Sequence, residues 1–108
     1  MRRATVRRLE ALGFKVVEAE TALVAIKLLA YGTAVDLVFS DVVMPGGISG
    51  LDLARWIRKR RPDLKVLLTS GYADELANEE HHLSEIATLR KPYSQAELIR
   101  TLRACLDA

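Results

Sequence analysis

Asp41, Ser70 and Lys91 each stand where an apolar run stops. Val35-Asp36-Leu37-Val38-Phe39-Ser40 delivers Asp41 and gives way to Val42-Val43-Met44-Pro45-Gly46-Gly47. Val66-Leu67-Leu68-Thr69 stops at Ser70-Gly71, and Ile86-Ala87-Thr88-Leu89 stops at Arg90-Lys91-Pro92. Short apolar runs bounded by Gly and Pro are consistent with buried strands. Laid parallel in one sheet, they gather a carboxylate, a hydroxyl and an ammonium at the C-terminal edge, where open α/β sheets bind ligands. That set suits the making and holding of an acyl phosphate. A carboxylate that attacks an anionic phosphoryl group needs the developing charge neutralised from several directions. Lys91 can pair with one phosphoryl oxygen and Ser70 can donate to another. Backbone N–H groups in the loop after Asp41 and at Gly71 can cover more, since glycine allows close backbone approach. A divalent cation would ordinarily bridge carboxylate and phosphoryl oxygens, and magnesium usually takes one or two carboxylates. Asp41 is the one acidic residue that the sequence places firmly at this edge.

The elements that must position these residues alternate between helix and strand, the pattern of a parallel sheet covered on both faces. Residues 2–12 read as a helix with Val6 and Leu9 on one face and Gly13 as its stop. Residues 14–19 alternate like a strand. Thr21 caps a helix with Ala22, Ala25, Ile26 and Leu29 at helical spacing. Ser49 to Asp52 resembles a capping arrangement for a third helix, whose stripe is Leu53, Trp56 and Ile57 and which Pro62 ends. Residues 74–84 form a weaker helical segment. Ser94-Gln95-Ala96-Glu97 is a capping box for the last helix, which buries Leu98, Leu102, Cys105 and Leu106. The expectation is one domain over residues 1–108 with four strands and five helices. An opening helix usually follows a strand in such folds, so the chain reads as starting one element late.

With 108 residues the chain is large enough for one core and too small for two. Sixteen Lys+Arg against fourteen Asp+Glu give a net charge of +2, too balanced to argue for nucleic acid. Cys105 is the only cysteine, which excludes an internal disulfide and fits a reducing, cytoplasmic setting. No apolar stretch is long enough to span a membrane. The adjacent pair His81-His82 lacks ligand spacing with any Cys or carboxylate. The basic clusters Arg2, Arg3, Arg7, Arg8 and Arg55, Arg58, Lys59, Arg60, Arg61 read as solvated helix sides.

The stretches Leu37 to Pro45, Leu68 to Ala73 and Leu89 to Tyr93 make the chain similar to the receiver domain of two-component response regulators, with the flavour of receivers attached to hybrid sensor kinases. The resemblance implies a flavodoxin-like doubly wound parallel sheet and a phosphorelay role. Phosphate would pass from a sensor histidine kinase or histidine phosphotransfer protein to Asp41, and the signal would go on by binding a downstream protein. It further implies phosphoryl contacts from Ser70, Lys91, Val42 and Gly71, a Mg2+ ion held by Asp41 and the Val43 carbonyl, and a cis Lys91–Pro92 bond. Switching would involve Ser70 and position 88, where the family often has an aromatic and this chain has Thr88. Such a module is no enzyme beyond assisting its own phosphotransfer and dephosphorylation.

Two departures qualify this picture. The family's first strand and its acidic pair are absent from the sequence, so Mg2+ binding should be weak or absent. The sheet would also lack an interior strand, which predicts a true start upstream that supplies it, a shift of residues 14–19 onto the Asp41 strand, or self-association through the open edges. The alternative is a degenerate, phosphate-independent receiver that acts as an interaction or dimerisation module.

Overall fold

The computed structural model describes residues 3–43, 46–70 and 86–107. Helix α1 (Arg3–Ala11) and helix α2 (Ala22–Ala30) precede strand β1 (Leu37–Asp41); α3 (Gly50–Arg60) leads to β2 (Lys65–Ser70), and β3 (Ala87–Arg90) to α4 (Gln95–Asp107). The strands form a parallel sheet in the order β1-β2-β3. This is the doubly wound α/β architecture that the alternating pattern predicts.

The middle strand explains the layering. Successive strand residues point to opposite faces, and both Leu67 and Leu68 are 0% exposed, so β2 is covered on both sides. On one face Leu67 meets Leu9 of α1 and Leu98 and Leu102 of α4, joined by Leu37, Phe39 and Leu89. On the other, Leu68 packs with Val42, Leu51 and Ala54. Val38 and Val66 extend that face to Ala22 and Leu29 of α2 and Leu53 and Ile57 of α3. Helices α1 and α4 therefore share one face of the sheet, and α2 and α3 the other.

Side-chain caps set where the helices begin. Thr21 accepts a hydrogen bond from the Val24 N–H at 3.2 Å. Ser49 and Asp52 form a reciprocal capping box at α3, with bonds of 3.0 and 3.2 Å. Ser94 and Glu97 do the same at α4, again at 3.0 and 3.2 Å. Each such cap contributes about 1 kcal/mol. Near the other end of α3, the Arg60 guanidinium lies 5.8 Å from the ring centroid of the half-buried Trp56.

One expected strand is corrected. Residues 14–19 belong to no helix and join no sheet ladder. Their alternation survives without it: Phe14 and Val16 turn inward against the Leu9–Leu67–Leu98 cluster, while Lys15 and Val17 are exposed. Alternating burial needs only an apolar surface to lie on. A strand also needs a neighbour whose N–H and C=O groups are in register, and among the described residues β1 is paired with β2 alone. The segment has not moved onto β1. The helix expected over residues 74–84, and His81-His82 within it, lie outside the described residues. Cys105, expected to be buried, is half-buried beside Leu98 and Leu102, and that burial raises its thiol pKa.

Helix α3 enters hard against the end of β1. The Gly50 N–H donates to the Val42 carbonyl at 2.7 Å. A Cβ built on Gly50 would overlap the Asp41 carbonyl oxygen and lie 2.9 Å from Ser40 Oγ. Glycine is required here for close approach, not for a left-handed conformation. Gly50→Ala should therefore cost roughly 1–3 kcal/mol, as overpacking does, although alanine is the better helix former. Urea unfolding of the two proteins would measure this, and an unchanged midpoint would show that α3 can start further from β1.

Candidate functional site

Register brings the three strand ends together. Asp41 lies beside Thr69, and Ser70 beside Arg90. Lys91 follows directly, and its N–H donates to the Ser70 carbonyl at 2.9 Å, which extends the β2–β3 pairing by one residue. The Lys91–Pro92 peptide is cis. From this position the Lys91 ammonium reaches Asp41, with Nζ 2.9 Å from Oδ1. The same oxygen accepts a hydrogen bond from the Thr69 hydroxyl at 2.5 Å. Asp41 Oδ1 thus holds two donors, while Oδ2 carries no hydrogen bond or ion pair among the described residues.

Electrostatics favours the ionised form. Burial pushes the Asp41 carboxyl up, but the Thr69 hydroxyl and the Lys91 ammonium outweigh it and hold the group below its ordinary value. The Asp41 and Lys91 side chains are 41% and 43% exposed, so solvent screens the pair and its direct contribution to stability is small. What the pair supplies is a charged carboxylate with one oxygen held by two donors.

All but one of the site residues named from the sequence fall among the described residues. Asp41 and Lys91 meet. Ser70 is buried, and its carbonyl joins the β3 end. Val42 is buried, and its N–H donates to the Thr69 carbonyl at 2.8 Å, so it continues the sheet ladder instead of standing open beside the carboxylate. Val43 is exposed. Thr88 is exposed on β3 opposite Leu68, and Gly71 lies outside the described residues. The residue that sequence reasoning missed is Thr69. Two hydroxyls stand side by side at the end of β2, and strand alternation lets only one share the pleat of Asp41. The pairing Asp41↔Thr69 selects Thr69, and nothing in the β2 segment alone fixes that register.

The described residues do not fit a magnesium ion. Magnesium wants octahedral oxygen ligation, usually with one or two carboxylates. No group of three or more His, Cys, Asp or Glu residues that could hold a metal occurs among the described residues. Asp41 Oδ1 is already occupied by a hydroxyl and an ammonium.

Comparison with known proteins adds a second line of observation. A profile of the response regulator receiver domain matches residues 1–103. The chain is 37% identical over 109 residues to the sensor kinase CckA of Brucella abortus (strain 2308), a match that covers 99% of the chain but 11% of that kinase. It is 30% identical over 109 residues to the response regulator receiver protein CpdR of the same organism, covering 100% of the chain and 89% of that protein. Among solved structures, a response regulator receiver protein from Sinorhizobium medicae WSM419 superposes with a TM-score of 0.84 at 28% identity, covering 97% of this chain and 84% of that one. The response regulator TrrA from Thermotoga maritima, crystallised with Mg2+ and BeF, gives 0.82 at 28% identity, covering 94% and 86%.

The Thr69 hydrogen bond has a measurable consequence. Thr69→Val keeps the shape and removes the donor, so the Asp41 pKa should rise towards the ordinary aspartate value, while Thr69→Ser should hold it down. Side-chain carboxyl NMR titration reads this directly. The sign for stability follows from linkage. A depressed carboxyl stabilises the fold above the unfolded pKa of about 3.9 and loses that contribution as pH falls through the lower folded value. The wild-type advantage over Thr69→Val should therefore shrink below about pH 4.

Proposed function

The chain belongs to the response regulator receiver domain family, and on that premise we propose that it accepts a phosphoryl group on Asp41 and signals by protein–protein binding. The observation that carries this reading is the ionised Asp41 carboxylate at the sheet edge, with Oδ1 held by Lys91 and Thr69 and Oδ2 unengaged. Oδ2 is the attacking atom. Its bond to phosphorus forms as the bond from phosphorus to a donor imidazole nitrogen breaks, and the imidazole keeps that electron pair. The donor is the phosphohistidine of a sensor histidine kinase or a histidine phosphotransfer protein. Lys91 compensates the charge that arrives with the phosphoryl group, and Ser70 supplies a hydroxyl at the end of the neighbouring strand.

Receivers of two-component systems are signalling modules rather than conventional enzymes, and they typically bind Mg2+. On this reading Asp41 and the Val43 carbonyl would be the metal ligands, with Ser70, Lys91 and Gly71 as the phosphoryl contacts. The unit proposed is a single receiver over residues 1–108. Its location is proposed to be cytoplasmic; no helix among the described residues is long and apolar enough to cross a membrane. Thr88 gives the switch no aromatic to turn inward, so Ser70 carries the change. The poor fit of the described residues to magnesium favours one rival, a phosphate-independent interaction module.

Incubation with acetyl phosphate, or with beryllofluoride, in the presence and absence of Mg2+ decides between them. The expected result is a mass gain of one phosphoryl group per chain and an amide shift at Asp41, both absent from Asp41→Asn. Lys91→Ala should cut the rate of adduct formation by roughly 100-fold, in the range for loss of one electrostatic stabiliser. No adduct and no shift under any of these conditions would sink the phosphoacceptor reading and leave the interaction module.

A further inference from the structure

The two adjacent hydroxyls at the end of β2 are not equivalent. Thr69 and Ser70 are both buried, at 1% and 3% exposure, but it is Thr69 that the register sets beside Asp41. Its hydroxyl donates to Asp41 Oδ1 at 2.5 Å. The donor is fixed from two directions. Its own carbonyl accepts from the Val42 N–H at 2.8 Å, which ties it to the residue after Asp41, and a β-branched side chain is stiff at χ1. The Asp41 side chain is 41% exposed, so Thr69 is the deeply buried half of this pair.

Lys91, the other donor on Oδ1, is of a different kind. Its side chain is 43% exposed, and its ammonium rides on a flexible stem. On the phosphoacceptor reading, on which this inference rests, that ammonium turns to the oxygens of the arriving phosphoryl group. Oδ2 then carries phosphorus, Oδ1 is the carbonyl oxygen of an acyl phosphate, and the Thr69 hydroxyl is the donor left on it. Such a donor counts most where Oδ1 gains charge, and hydrolysis is that step. A water oxygen bonds to phosphorus, the bond from phosphorus to Oδ2 breaks, and its electron pair spreads over both carboxylate oxygens. Both protons of the water leave with the phosphate. In adduct formation the carboxylate starts fully charged and, in a loose transition state, still holds most of that charge. The hydroxyl therefore favours the hydrolytic transition state over its ground state and does little of the same for formation.

We infer that Thr69 sets the lifetime of the Asp41 adduct, by donating its hydroxyl to the carboxylate oxygen that takes up charge as the phosphoryl group departs. The neighbouring hydroxyls divide the work: Ser70 serves the phosphoryl group, and Thr69 serves the carboxylate it leaves behind.

The test loads wild type, Thr69→Val and Thr69→Ser with acetyl phosphate at one fixed Mg2+ concentration. The donor is removed by gel filtration, and adduct decay is followed by intact mass. Decay of Thr69→Val should be about tenfold slower, a smaller effect than loss of a fully enclosed oxyanion donor because Asp41 is partly hydrated. Formation should slow by only about threefold, through loss of one of the two anchors that orient the carboxylate. Thr69→Ser, which keeps the hydroxyl, should restore the wild-type decay. Thr69→Ala should match Thr69→Val and takes its place if valine is not accommodated. Equal slowing of formation and decay would mark a role in shape alone and overturn the inference. So would Thr69→Val decaying at the wild-type rate, or Thr69→Ser decaying as slowly as Thr69→Val. An adduct whose lifetime ignores Thr69 sinks this inference alone, whereas a wild type that forms no adduct sinks the phosphoacceptor reading and this inference with it.

Discussion

A strand covered on both faces cannot slip, and β2 is such a strand. A shift of one residue would carry Leu67 to the α2–α3 side and Leu68 to the α1–α4 side, exchanging every contact each makes. Because β2 is fixed, so are the pairings Asp41↔Thr69 and Ser70↔Arg90 at its end. The site is therefore specified by the packing of the residues just before it. Two leucines with apolar partners alone in their clusters decide which hydroxyl meets the carboxylate.

Much of this was legible in the chain. The three strand ends and the caps at Thr21, Ser49 and Ser94 follow from local signals: an apolar run, a Gly or Pro stop, a Ser three residues before an acid. The meeting of Asp41 with Lys91 follows once the three runs are laid parallel in one sheet. Those signals are local because caps and strand ends satisfy backbone groups within a few residues. What was missed depends on pairing. Residues 14–19 carry the alternation of a strand, but whether an extended segment joins a sheet is decided by what lies next to it. Thr69 was passed over for the same reason: the register between distant segments chose it over Ser70. Gly50 read as part of a cap, and only the approach of α3 to β1 shows why no other residue fits.

The site shows how a modest ion pair can matter without stabilising much. Asp41 and Lys91 are each close to half exposed, and water weakens their attraction. Their geometry is nonetheless definite, because Lys91 is tied to Ser70 through the backbone and Asp41 to Thr69 through the side chain. The result is a carboxylate that is ionised, oriented and only half engaged. Such an arrangement suits a group that must receive an anion beside a cation already in place.

The absence of a side chain at position 50 reaches beyond local fit. The first turn of α3 lies hard against the main chain of Asp41 and is bonded to the next residue, from the Gly50 N–H to the Val42 carbonyl. A displacement of the Asp41 backbone cannot be absorbed where it starts. Either that hydrogen bond breaks, or α3 travels as a rigid rod and presses on the leucines and isoleucines it shares with α2. Asp41 and the surface behind it are thereby mechanically joined through Gly50.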